Sequence, residues 1–116
     1  MTIRKRPPIT TMTELLESLY IEPMSRDRRY LARLQYLPPE IEVIEFYDDG
    51  GGHSNAFTQE TTPVSKELFL EARQERYITG VLEPGYVSSW RFKLSETGRE
   101  GLFALRKEAQ KAATLT

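Results

Sequence analysis

Three groups of residues in this chain have types and spacings that chemistry can use. In "DDGGGH", Asp48 and Asp49 precede three glycines and His53, which sets two carboxylates and an imidazole on one short loop. A closed metal site needs more fixed ligands than that, and the chain has no cysteine to add a thiolate. No Gly-Lys-Ser/Thr follows the glycines, so they are not a phosphate loop. His53 is the only histidine and no nucleophile-elbow pattern accompanies it, so the stretch reads as a solvated turn. No enzyme, metal or cofactor is expected.

The second group is acidic. Glu67, Glu71 and Glu75 recur every four residues and would form one stripe on a helix, with no base three or four positions away. The third group is basic: "RKR" at Arg4, Lys5 and Arg6, the series Arg26, Arg29 and Arg33, and the bases Lys66, Arg73, Arg91 and Lys93. Net charge is −1, but it is unevenly spread: +3 over 1–37, −6 over 38–61 and +2 over 62–116. Two mildly basic lobes flank an acidic middle, so a polyanion partner would need a local basic patch.

The elements that must position these groups are legible in outline. At 116 residues a single domain is expected. "TMTE", from Thr11 to Glu14, has capping-box spacing, and Met12, Leu15, Leu16, Leu19 and Tyr20 continue it as one apolar helical face. A second helix is expected from Ser25, with Tyr30, Leu31, Leu34 and Leu37 on one side and Pro38-Pro39 at its end. "IEVIEFY", 41–47, reads as a strand, and the glycine loop joins it to a short strand near "NAFTQ". A third helix is expected with Thr62 as cap and Pro63 at its first position, running to about Tyr77. "ITGVL" and "VSSWRFKL" form a hairpin around Pro84-Gly85. In its second strand Trp90, Phe92 and Leu94 alternate with Arg91 and Lys93, an apolar face against a basic one. Ser95 caps a last helix lined by Leu102, Leu105 and Ala109.

Helix, hairpin, then "KLSETGREGLFAL" resembles the carboxy-terminal half of a winged helix-turn-helix domain, of the kind seen in small bacterial and mobile-element regulators. Leu94, Ser95, Gly98, Arg99, Leu102 and Leu105 match its exit from the wing, and Tyr77-Ile78 matches the turn into it. The resemblance covers 62–106. It departs from the family at Arg76, where a glycine commonly closes the helix, and upstream, where "EFYDDGGGHSNAFTQETT" replaces a compact helix and tight turn.

The fold class expected is α+β: two amino-terminal helices, an acidic strand–loop insert, and a winged-helix-like half, with 1–9 as a flexible basic arm. The resemblance implies duplex DNA binding in transcription regulation. Lys66, Arg73 and Gln74 would face the groove, Arg91 and Lys93 would meet phosphates, and Arg4, Lys5 and Arg6 would serve as the arm. The alternative is a protein-interaction module, a homodimer that does not bind DNA. It would use Leu70 and Tyr77, with Glu67, Glu71 and Glu75 pairing with Arg26, Arg29 and Arg33. No apolar run reaches the ~18 residues of a membrane span and no signal-peptide pattern is present, so a cytoplasmic protein with no membrane partner is expected.

Overall fold

A computed structural model describes residues 2–23, 28–48, 57–82 and 90–114. Among these residues the fold is α+β, a six-stranded mixed sheet with three helices. In chain order the elements are β1 (Thr2–Lys5), α1 (Met12–Leu19), β2 (Arg29–Leu37), β3 (Glu40–Asp48), β4 (Phe57–Pro63), α2 (Lys66–Gln74), β5 (Ile78–Val81), β6 (Trp90–Leu94) and α3 (Glu96–Thr114). The strands lie in the order β1-β4-β3-β2-β6-β5, and only β1 and β4 are parallel. No helix among the described residues is long and apolar enough to cross a membrane.

Opposed residues in a ladder share a face, so the register divides the sheet into two. One face carries Ala32, Leu34 and Tyr36 of β2, Ile41, Val43, Glu45 and Tyr47 of β3, Thr62 of β4 and Phe92 of β6. The helices pack on this face. Tyr36 stacks on Phe69 of α2 at 5.1 Å, and Phe69 meets Phe92 edge-on at 5.4 Å. Leu15 and Leu19 of α1 join the same core. The third helix lies against α1, where Tyr20 and Phe103 form a T-shaped pair at 5.5 Å and Arg106 grips Glu17 with two hydrogen bonds of 2.7 and 2.8 Å. The other face carries Leu31, Arg33, Gln35, Ile44, Phe46, Arg91 and Lys93.

The first helix begins as its capping box predicts. Thr11 Oγ1 accepts from the Glu14 amide at 3.1 Å, and the Glu14 carboxylate accepts from the hydroxyls of Thr10 and Thr11. Those two hydrogen bonds, Thr10 first, hold the Glu14 carboxyl below its usual range. The β3 strand, the antiparallel β5–β6 hairpin and the Ser95 cap of α3 also stand as expected.

Three expectations need correction. The second amino-terminal helix is instead strand β2, at the middle of the sheet between β3 and β6. Tyr30, Leu31, Leu34 and Leu37 fit a helical period, but Ala32, Leu34 and Tyr36 also alternate. Burying Ala32 and Leu34 between two ladders outweighs local propensity. Pro38-Pro39, a cis peptide bond, is the two-residue turn into β3, since Leu37 pairs with Glu40. The third helix opens later than Thr62, because Thr62 and Pro63 still pair with Val43 and Glu42 in the sheet. Ser65 caps it instead, accepting from the Leu68 amide at 3.2 Å. Finally, 1–9 is not a free arm: β1 pairs with β4, and the Arg6 and Ile9 amides donate to the carbonyls of Thr61 and Pro63.

The hairpin is anchored closely at its base. The Tyr77 amide donates to the Ala72 carbonyl and the Arg76 amide to that of Arg73, the two bonds of a Schellman ending. Arg76 takes φ 60 there, the left-handed conformation that the family's glycine adopts freely. Ser95 closes the opposite side. Its amide donates to Tyr77 O at 2.9 Å, its hydroxyl donates to Arg76 O at 2.6 Å, and the same oxygen accepts from the Gly98 amide. A Cβ on Gly98 would stand 2.2 Å from Tyr77 O, so this approach requires glycine.

Candidate interaction surfaces and a polar cleft

The candidate DNA-binding residues do not converge. Lys66, Arg73 and Gln74 are exposed on α2, on the helix-covered side. The Arg73 guanidinium folds back over the rings of Phe92 and Phe69, 5.5 and 5.9 Å from their centroids. Arg91 and Lys93 belong to the opposite face. Lys93 is exposed, but Arg91 is only 6% exposed, opposed by Gln35 on one side and Val81 on the other. Arg4, Lys5 and Arg6 are exposed at the far edge, four strand spacings or roughly 19 Å from β6. The acidic stripe of Glu67, Glu71 and Glu75 is exposed on the outer side of α2.

The basic series that was to pair with it is dispersed. Arg26 lies outside the described residues, as do Asp49, His53 and Pro84-Gly85. A β-bulge between Arg29 and Leu31 turns Arg29 to the helix-covered face and Arg33 to the other. Arg29 is engaged inside the fold. It donates to Glu45 Oε2 at 2.7 Å, to the Ser18 carbonyl at 2.9 Å and to the Glu17 and Tyr20 carbonyls. Its cation therefore caps the carbonyl end of α1 while neutralising a buried carboxylate.

The hairpin end of the sheet presents an apolar corner. The expected alternation of β6 survives in the register, but burial is reversed at its start: Trp90 is 64% exposed while Arg91 is buried. Trp90 is the first described residue of β6. It pairs with Tyr36, and Leu82, 97% exposed, follows Val81, the last residue paired in the β5–β6 ladder. Leu70 is exposed on the adjacent helix α2. Tyr77 is half-buried and tied to α3, since a Cβ on Gly101 would meet its ring at 2.8 Å. Leu102 is fully buried, Leu105 is half-buried and Ala109 is exposed.

The other end of the sheet is polar. Between α1, the 6–9 segment and the sheet lies a cleft of about 470 Å³. At its base is Glu45, with a side chain 2% exposed. Its Oε2 accepts from Arg29 and from the Tyr47 hydroxyl at 3.0 Å. Its Oε1 has no hydrogen-bond partner among the described residues, and Arg6 Nη1 stands 3.6 Å away, bonded at 3.3 Å to Glu60. Thr62 Oγ1, in a residue 5% exposed, is likewise without a partner among the described residues. Burial, then the Glu45 carboxylate beside it, pushes the Tyr47 phenol well above its ordinary value. Among the described residues no three His, Cys, Asp or Glu side chains are grouped to hold a metal ion.

The sequence held a signal for this cleft. In "IEVIEFY", Glu45 shares its face with Ile41 and Val43, and an acid on an apolar strand face must be paired or neutralised when buried. The exposure of Trp90 had no such signal, since alternation alone placed it inside. No family model, curated protein or solved structure matches this chain.

Proposed function

We infer that this chain is a non-catalytic protein-interaction module acting in the cytoplasm, and that it self-associates through the hairpin end of its sheet. The observation that carries this reading is the exposure of two large apolar side chains at this end of the sheet, Trp90 at 64% and Leu82 at 97%. A large aromatic surface in water is unfavourable, and tryptophan is the residue most often found at the energetic centre of an interface. The outer strand β5 is a sheet edge, so a second copy placed there would extend the hydrogen-bonded ladder as well as cover the corner. The exposed glutamate stripe on α2 disfavours a phosphate backbone at the same place.

Light scattering on the eluting protein, with emission of the sole tryptophan followed against concentration, tests this. A dimer is expected, with blue-shifted emission as it forms, and Trp90→Ser should return it to a monomer. A wild-type monomer with red-shifted emission at every concentration would overturn the reading.

Duplex DNA binding by a winged-helix-like half remains the second reading. It is favoured by the succession α2, β5, β6, α3 over 66–114 and by the left-handed Arg76 where the family closes its helix. On this reading anisotropy with mixed-sequence duplex should weaken steeply with salt and depend on Lys66 and Lys93.

A further inference from the structure

The polar cleft has acceptors left over. Two oxygens of residues that line it, Glu45 Oε1 and Thr62 Oγ1, belong to side chains more than nine-tenths buried and have no hydrogen-bond partner among the described residues. Leaving such groups desolvated and unmatched is costly. Arg29 serves Glu45 Oε2 and the α1 carbonyls, and both oxygens of Glu17 are taken by Arg106. At the rim, hydrogen bonds from Thr10 and Thr11 favour the charged form of Glu14.

The chemistry of the occupant follows from this set. An anion would meet Glu45 at the base and Glu14 at the rim, and would be repelled. A carbonyl group would leave Glu45 Oε1 as it is. A group with several N–H donors and a positive charge suits both orphans, and the volume of about 470 Å³ far exceeds the ~30 Å³ share of one water. Arg6, half-exposed and 3.6 Å from Glu45 Oε1, stands at the mouth as a resident cation that can swing fully to Glu60. We propose that the cleft is a binding site for a primary alkylammonium group, held by Glu45 Oε1 and Thr62 Oγ1, with Arg6 as the internal competitor that the ligand displaces.

An alkylammonium can arrive as a free amine or as a lysine side chain. Amide chemical-shift titrations at constant ionic strength, with 1,4-diaminobutane and with Nα-acetyl-lysine amide as probes, separate the two. Saturable shifts at Glu45, Thr62 and the α1 amides are expected with at least one probe. Preference for the first assigns a free amine, and preference for the second assigns a partner's lysine. Thr62→Val keeps the shape and the Glu45–Arg29 pair, and should fold normally yet bind about tenfold more weakly, the effect of one lost hydrogen bond. Arg6→Ala should bind several-fold more tightly. No saturable shift with either probe would overturn the site. Equal binding by Thr62→Val, or by the diacetylated diamine, would do the same.

Discussion

The two ends of the helix-covered sheet face are built on opposite principles. Towards β6 the layer is hydrocarbon: Leu34, Phe92, Phe69 and Ala72 close over one another, with only Arg73 lying across the rings. Towards β1 the same face buries an ion pair, Arg29 with Glu45, beside a hydroxyl and a carboxylate oxygen that have no hydrogen-bond partner among the described residues. The apolar end is stabilised by area removed from water. The polar end costs desolvation, which is offset only while every charge keeps its counterpart. The interior of one end is held by packing, and that of the other by matched charges.

The largest effects should separate the ends through substitution in pairs. Glu45→Ala strands Arg29 and should cost about 3–5 kcal/mol, while Phe92→Ala opens a cavity and should cost a similar ~3–5 kcal/mol. Replacing the pair together, Arg29→Met with Glu45→Leu, should recover most of the first loss. Urea unfolding of the three variants measures this. A cost under ~1 kcal/mol for Glu45→Ala would show that the polar end is solvated and the contrast false.

A smaller, opposite effect belongs to the hairpin. Arg76→Gly relieves a left-handed residue at φ 60 and should raise stability by about 1 kcal/mol, seen as a higher urea midpoint with an unchanged slope. A loss would mean that the Arg76 side chain contributes more than its backbone costs.

The smallest effect lies between the ends, at the α1–α3 seam. The Arg106 hydrogen bonds hold the Glu17 carboxyl below its ordinary 4.5, so their stabilisation is present above that value and is lost as the pH falls through the lowered one. Both side chains are more than a third exposed, so Arg106→Gln should cost under ~1 kcal/mol near neutrality. The two proteins should converge on acidification. A constant difference down to pH 3 would assign the loss to packing of Arg106 on Tyr20 and Phe103 rather than to charge.

Local signals were legible where one residue decides the outcome. Thr11 and Ser95 announce helix starts, and Gly98 is demanded by the Tyr77 carbonyl, so the "Gly-Arg" that invites the winged-helix resemblance also records a packing contact. What was hidden depends on neighbours distant in sequence. β2 reads as a helix until β3 and β6 are beside it, and β1 reads as a loose arm until β4 arrives. The candidate DNA surface was legible as a list of bases but not as a place, because faces and edges come from strand order. Glu45 was visible as an acid among apolar residues, although its partner Arg29 was assigned to a helical stripe.

Ser95 has one more consequence, for where α2 and α3 stand. By binding both Arg76 and Tyr77 it fastens the two feet of the hairpin to each other and to α3. Since closing a loop of twice the length costs only about 0.6 kcal/mol more, this clasp rather than the connection between the strands sets where α2 and α3 stand. The two strands are a strap buckled at its feet, and the buckle is a single serine.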